Sequence, residues 1–265
     1  MDLHELRKQP HLSASAINDY LTCGYLYKLR RIDKVEAEFT SDALELGGVV
    51  HEVLAEYHQH RMKGRKLTKK KLLSLFAARW KQAAHEGIEY AEGKDFKTLL
   101  AEGKSLLAAY HDGHDDGFKV VGVEQPVRFM IGDIAMLGVI DLMEEDESGA
   151  LIITDFKTTR KAYGQDDVDN NMQLTIYQMA MKANGYEDRE ILLKLDCLIK
   201  TKKPKFETYY TSRNEIHERR LVKKAMMVWE GVRKGVFIPN DGNWKCNNCE
   251  YISYCNEFLE KEEVL

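Results

Sequence analysis

The chain is poor in the features that would make its class obvious. Only four prolines occur in 265 residues, and no internal repeat or low-complexity tract interrupts the sequence. Neither a collagen-like or linker-rich chain nor a solenoid is therefore expected. No stretch reaches the roughly 18 consecutive apolar residues of a membrane span. The opening MDLHELRKQP has no apolar core of the kind a signal peptide needs, so no membrane partner is expected, and the default location is the cytoplasm, or a host cytoplasm for a phage-encoded chain. Charge of one sign is also missing: 39 Lys+Arg stand against 43 Asp+Glu, a formal charge of −4 and a pI near 6.2. A uniformly basic nucleic-acid-binding domain is excluded, and any nucleic acid must be held by a local patch. Five cysteines are too few for a disulfide scaffold. A Gly-rich Walker loop is absent, so a motor, if one is needed, is a separate partner.

What remains is a chain with 44% hydrophobic residues, long enough to bury a sizeable core. Apolar residues at helical spacing predict helices over Leu12–Arg31, Ala43–Arg61, Thr68–Glu86 and Asp95–Asp112. The pattern then changes. Lys119–Ile131 and Ile134–Met143 are rich in Val, Ile, Phe and Met and flank the turn signal Gly132-Asp133, which predicts a hairpin. A strand over Ala150–Lys157, a helix over Asp166–Asn184, strands over Glu190–Lys200 and Phe206–Thr211, and a helix over Arg213–Lys234 follow. The order fits an α/β (α+β) mixed sheet flanked by helices, with residues 1–116 forming a helical N-terminal region, 117–238 a core and 239–265 a Cys-rich tail within one compact unit.

In the strand LIITDFKTT, alternation puts Asp155 and Lys157 on one face and Phe156 on the other. Packing gives no reason for a carboxylate and an ammonium at the end of an apolar run. Asp141 closes the preceding strand LGVID, and a hairpin register can set it beside Asp155. Two adjacent carboxylates repel unless a cation or proton lies between them, which suits a divalent metal with oxygen ligands. Lys157 then orients a water or stabilises negative charge on a phosphate. Glu124 on the first strand is placed to approach the same sheet end, or else is solvated.

Asp141, Asp155-Phe156-Lys157, and then Gln173 and Tyr177 one helical turn apart resemble the D…(D/E)xK…QxxxY signature of the PD-(D/E)XK nucleases of the RecB type. Gly47-Gly48-Val49-Val50-His51 resembles the Gly-x-x-x-His element of that family, and LSASAINDYLTCGYLYKLRRI resembles its first segment. The resemblance implies a restriction-endonuclease-like core. It also implies a metal held by His51, Asp141, Asp155 and the carbonyl of Phe156, and Lys157, Gln173 and Tyr177 acting at the same centre. His51 alone would read as an ordinary helix histidine.

Cys246, Cys249 and Cys255 crowd the tail, and Cys23 lies far upstream. Four thiolates suit zinc or an iron–sulfur cluster, and spacing alone does not separate the two. The arrangement resembles the [4Fe-4S] staple of AddB-type subunits and of CRISPR-associated RecB-like nucleases. Cys197, in the apolar LDCLI, is expected in the core.

The resemblance implies a Mg2+- or Mn2+-dependent deoxyribonuclease, an exonuclease hydrolysing DNA from its ends in recombination, repair or phage replication, with a helicase or recombination protein as a possible companion. A CRISPR-adaptation-type or structure-specific endonuclease uses the same residues. A silent DNA-binding or helicase-docking module is the third reading. The acidic chain would have to gather Lys28, Arg30, Arg31, Lys200, Lys202, Lys203 and Lys205 along a channel to hold DNA.

Overall fold

The computed structural model describes residues 3–83, 87–242 and 245–260. The helices and strands are α1 (Leu3–Lys8), α2 (Ala14–Thr22), α3 (Gly24–Tyr27), β1 (Thr40–Ser41), α4 (Asp42–Met62), α5 (Lys69–Ala83), β2 (Ile88–Glu89) and α6 (Phe96–Gly113), then β3 (Lys119–Ile131), β4 (Ile134–Glu145), β5 (Leu151–Thr159), α7 (Gln165–Asp169), α8 (Met172–Met181), β6 (Ile191–Ile199), β7 (Lys205–Thr211), α9 (Glu215–Arg233) and α10 (Ile252–Glu260). The predicted helix over Thr68–Glu86 ends on residues 84–86, outside the described residues.

Five strands form one sheet in the order β3-β4-β5-β6-β7. Three of its neighbouring pairs are antiparallel, and β5 runs parallel to β6 because α7 and α8 carry the chain across between them. The mixed sheet with helices on both faces is a restriction-endonuclease-like fold. Helices α4, α5 and α6 pack Leu46, Val50, Phe76, Trp80 and Leu107 against Leu142, Phe156 and Leu198 on one face. The other face holds Ile153, Leu193 and Cys197 against α2, α8 and α9 through Ile17, Ile176 and Ala225. Cys197 is buried there, as its apolar neighbours require.

The hairpin forms where Gly132 takes φ 60° and Ile131 pairs with Ile134, a left-handed turn that glycine adopts at little cost. Two predicted helices are broken. The segment Leu12–Arg31 divides at Cys23, whose extended backbone (φ −161°, ψ 115°) ends α2 while its sulfur accepts the Leu26 N–H that starts α3. The segment Asp166–Asn184 divides at Asn171, whose side chain caps α8 by accepting from Leu174 N–H. No described helix is long and apolar enough to cross a membrane.

Candidate active site

The site grows from a fork in the sheet. The β4–β5 ladder runs from Glu145↔Leu151 to Leu142↔Thr154 and stops. Asp141 and Asp155 occupy the next register position, where the two strands diverge. Beyond the fork β5 stays paired with β6 as far as Thr159↔Ile199, so its opposite edge opens toward β4. Phe156 N–H points into this gap and donates to Asp141 Oδ2 at 2.7 Å. Since N–H and C=O of one strand residue point to the same side, the Phe156 carbonyl faces the gap too.

The two carboxylates sit at a place where the sheet exchanges its faces. On β4, Met136 and Ile140 face the α8–α9 layer, whereas Leu142 faces the α4–α6 layer. An even-numbered residue thus changes side across Asp141. On β3 the same exchange separates Val123, which packs with the α4–α6 layer, from Val127, which packs with the other. Glu124 lies at that point with φ 48°, between the pairs Val123↔Leu142 and Gln125↔Ile140 and therefore opposite Asp141. Side chains from both helical layers reach one point as a result.

From the α4 side comes His51, whose Nδ1 is 3.5 Å from Asp141 Oδ2. Gly47 permits this approach: a Cβ there would lie 3.1 Å from Thr158 Oγ1 on β5. From the α8 side come Gln173 and Tyr177, stacked one turn apart. Lys157 Nζ donates to Gln173 Oε1 at 2.9 Å, and Gln173 Nε2 donates to the Tyr177 hydroxyl at 2.7 Å. The single hydroxyl hydrogen of Tyr177 faces the Val139 carbonyl at 2.5 Å and Asp155 Oδ1 at 3.2 Å. Gly138 leaves room for that ring, since a Cβ would stand 3.2 Å from it.

Electrostatics follow from burial. Asp155 is 1% exposed. Burial, and then the negative charge of Asp141, raise its pKa against the pull of Lys157. Lys157 Nζ is 2.7 Å from Asp155 Oδ2, and no other donor reaches this buried oxygen. Burial alone would lower the pKa of Lys157, yet Asp155 and Asp141 raise it and keep it an ammonium. For His51 burial also opposes the charge, and the Asp141 contact outweighs it and raises the pKa. Burial, then Asp141, raise Glu124.

Every sequence-predicted residue of this centre, His51, Asp141, Asp155, Phe156, Lys157, Gln173 and Tyr177, therefore meets at one fork. Its inventory fits a hard divalent cation: two carboxylates, an imidazole nitrogen and a carbonyl, with one cation for two anions and one buried carboxylate oxygen that only Lys157 reaches.

A second group has metal-ligand composition and is something else. Ligand atoms of His58, His114 and Glu144 lie within 4.8 Å of one another. Arg61 already fills their centre: its Nη1 is 3.0 Å from His58 Nδ1, 3.0 Å from His114 Nε2 and donates to Glu144 Oε1 at 2.8 Å. Burial, then neighbouring cations, lower the pKa of His114 to about 2, and the same influences together with His114 lower that of His58. A guanidinium between neutral imidazoles leaves no place for a metal ion.

The cysteines converge independently. The chain after α9 returns across α2 and α3, with Tyr20 donating to the Val236 carbonyl at 2.7 Å and Asn240 to the Thr22 carbonyl at 2.8 Å. A Cβ on Gly24 would lie 2.8 Å from Ile238 N, so only glycine lets the segments touch. Cys23, Cys249 and Cys255 then pack around Tyr25, Leu26, Leu29 and Tyr251. Burial, followed by Cys23, Cys249 and Cys246, raises the Cys255 thiol pKa. All five thiols are free.

Of the seven cations expected to gather along a channel, two line the cavity at the fork. A cavity of about 1020 Å³ opens onto Lys157, Gln173 and Tyr177, and it is lined by Arg30 and Arg31 but by none of Lys28, Lys200, Lys202, Lys203 and Lys205. The last three belong to the turn and first residue that join β6 to β7. Arg7, Lys8, His11 and Lys34 line the cavity instead. Clustering of charge in HELRKQPH was the available signal, and a linear reading gives it no address.

A model of the PD-(D/E)XK nuclease superfamily matches residues 11–256. Among solved structures, a Eubacterium rectale protein described as a candidate exonuclease superposes with a TM-score of 0.59 at 14% identity, over 95% of this chain and 90% of that one. The structure of SSO0001 aligns over 96% of both chains at 14% identity with a TM-score of 0.35. No match was found among curated proteins.

Proposed function

Because the chain belongs to the PD-(D/E)XK nuclease superfamily, we propose that it is a divalent-metal-dependent deoxyribonuclease of the RecB-like, AddB-type branch that shortens DNA from an end. The observation that carries this reading is the meeting of His51, Asp141, Asp155 and the Phe156 carbonyl with Lys157 at the β4–β5 fork. His51, Asp141, Asp155 and that carbonyl would hold Mg2+ or Mn2+. The ion supplies a positive charge for the phosphate and lowers the pKa of a bound water. Because imidazole is a softer donor than carboxylate, His51 favours Mn2+.

The chain's own groups do the rest. Lys157, held as an ammonium and aimed by Gln173, directs an attacking water and balances charge that grows on the phosphate oxygens. Tyr177 fixes Asp155 and Gln173 through its hydroxyl, so the two functional strand residues keep their rotamers. Asp141 accepts from Phe156 N–H and thereby fixes the backbone that offers the carbonyl.

Cys23, Cys246, Cys249 and Cys255 are assigned to a [4Fe-4S] cluster that ties the two ends of the chain together. The support is that Cys23 packs in one apolar cluster with Cys249 and Cys255, more than 200 residues further along, that Cys246 lies near enough to act on the Cys255 thiol, and that all four thiols are free. Metal bound there restrains termini that otherwise fray. Iron analysis tests this independently of activity: about four irons per chain and a brown colour are expected, and one zinc in a colourless protein refutes it.

The function is tested with end-labelled linear DNA and covalently closed circles, in Mg2+, Mn2+ or chelator. Metal-dependent shortening of linear DNA with circles spared is expected. Rapid linearisation of circles would replace the exonuclease with an endonuclease, and no cleavage with either metal would leave a binding module.

A further inference from the structure

Lys194 and Arg213 are both buried cations, and they are held in opposite ways. Lys194 pairs with Glu144 and Asp196. Arg213, between β7 and α9, has neutral partners only. Nε donates to Thr175 Oγ1 at 2.9 Å, Nη1 to Thr211 Oγ1 at 2.7 Å and the Ser212 carbonyl at 2.9 Å, and Nη2 to the Val168 and Asn171 carbonyls at 2.9 and 3.0 Å. Five donations use the five N–H groups of a guanidinium. The carboxylate of Asp169 is linked through Thr211, whose hydroxyl donates to its Oδ1 at 2.7 Å. A charge buried on neutral acceptors forgoes the return of an ion pair, so what this arginine supplies is geometry, a rigid planar set of donors.

That geometry is applied around Gln173. Asn171 and Thr175 stand two residues before and two residues after it, at the start of α8. Asn171 caps the helix, its side chain accepting from Leu174 N–H at 3.2 Å. Its carbonyl takes the Thr175 N–H at 3.4 Å and the Thr175 hydroxyl at 3.3 Å as well as Nη2 of Arg213. Val168 belongs to α7, so one guanidinium spans the break between the two helices and fixes where α8 begins. Gln173 lies in that first turn. Its contacts to Lys157 at 2.9 Å and to the Tyr177 hydroxyl at 2.7 Å leave little slack, because a shift of roughly 0.5 Å takes the first beyond the ordinary hydrogen-bond range.

We propose that Arg213 is a positioning residue for the cleavage reaction: by gripping Asn171 and Thr175 it sets the start and phase of α8 and so aims Gln173 at Lys157. Arg213 lines no part of the cavity that opens onto Lys157, and its effect reaches the fork through Gln173. Lysine cannot take its place, since an ammonium has three N–H groups for five acceptors and no planar fork. The inference rests on the nuclease reading.

Arg213→Lys, Gln173→Ala and the double variant are compared with the wild type in Mn2+-supported cleavage, well below all four melting points. Arg213→Lys should lower kcat about tenfold and move KM by less than about twofold. In the Gln173→Ala background the same substitution should change kcat by less than about twofold, because an aim already lost cannot be lost again. Thr175→Val removes one of the five acceptors at nearly constant shape and carries the test if Arg213→Lys does not fold, with kcat falling about threefold in the wild-type background and unchanged in Gln173→Ala. Thr208→Val, which cuts the hydrogen bond to Asp196 on the other face of the sheet, should lower the melting point and leave kcat unchanged. Equal losses of kcat in both backgrounds, a wild-type kcat in Arg213→Lys, or the same fall in Thr208→Val overturns the positioning role and leaves the nuclease reading intact. A wild type that cuts neither linear nor circular DNA brings down the nuclease reading itself, and with it any part for Arg213 in the rate.

Discussion

Two buried polar clusters built from the same residue types lie three positions apart along β4. One surrounds Asp141 and the other surrounds Glu144. In the Glu144 cluster, Arg61 and Lys194 face Glu144 and Asp196 across distances of 2.8–3.4 Å. Thr208 donates to Asp196 Oδ1 at 2.8 Å, and two neutral histidines fill the gaps. Arg61 Nε also pairs with Asp116 at 3.0 Å, and Lys66 pairs with the same carboxylate at 3.5 Å, so three cations balance three anions, and the side chains of Glu144, Asp196, Lys194 and Arg61 are 6% exposed or less. The Asp141 cluster has one cation for two carboxylates, with Glu124 opposite, and it opens to the cavity through Lys157, whose side chain is 28% exposed. Each cluster contains one buried carboxylate oxygen that only a lysine reaches, Asp196 Oδ2 by Lys194 at 3.4 Å and Asp155 Oδ2 by Lys157 at 2.7 Å. Residue type and burial therefore do not separate the Arg61 network from the candidate active site. Charge balance and access do.

The comparison breaks most visibly if Arg61 is removed. Arg61→Met leaves a buried Glu144 and two imidazoles facing an apolar chain, a loss of about 3–5 kcal/mol of stability by the rule for a buried pair that loses one partner. Denaturant unfolding measures it, and a loss under about 1 kcal/mol would mean that Arg61 is not the keystone of that cluster.

The opposite response is expected at Lys157. Lys157→Ala should lower the cleavage rate about 10²-fold or more, on the scale of other preorganised electrostatic groups, with a melting point close to that of the wild type. Equal rates for variant and wild type would show that the fork does not carry the chemistry.

Much of this contrast was legible in the sequence. Asp141, Asp155 and Lys157 stand out because each ends an apolar run, where period-2 alternation fixes direction without any knowledge of the fold. The hairpin was equally legible, since Gly132-Asp133 supplies a turn that β-branched strands need on both sides. What remained hidden depends on long-range register. The Arg61 cluster joins α4, α6, β4 and β6, and no local pattern connects His58 or His114 with Glu144. Glu124 was visible only as a strand residue that could approach the sheet end, because the exchange of faces at its position accompanies a left-handed backbone, φ 48°, that no sequence pattern announces. The lining of the cavity escaped for the same reason: Arg7 and Lys34 share it with Lys157 although both lie far away in sequence, and the turn lysines near Lys202, denser in sequence, lie elsewhere.

Acid sharpens the comparison on the Glu144 side. The pKa values of His58 and His114 are lowered in the folded protein, so below their ordinary value near 6.5 the unfolded chain binds protons that the folded one does not. Stability rises with pH in that window and falls as pH drops from about 6.5 toward 5, by up to about 1.4 kcal/mol per pH unit for each histidine. His114→Asn should flatten the dependence by one histidine's share. Unfolding at pH 7 and pH 5.5 checks it, and identical slopes would show that His114 takes up a proton freely in the fold.

The smallest effect expected is the most pointed. Asp155→Asn removes a carboxylate that burial and Asp141 both disfavour, and it also removes the attraction of Lys157 at 2.7 Å. These changes oppose each other. The variant in chelator should match the wild type or melt slightly higher, by less than about 1 kcal/mol. The Glu144 cluster offers the control, since Glu144→Gln leaves Arg61 and Lys194 short of an anion and should destabilise clearly. Added Mn2+ should raise the melting point of the wild type but not of Asp155→Asn, because the uncharged amide is a poorer partner for a hard cation. If Asp155→Asn instead unfolds as readily as Glu144→Gln, both clusters are structural in the same sense, and the charge imbalance at the fork would have to be neutralised by the protein itself rather than by a metal.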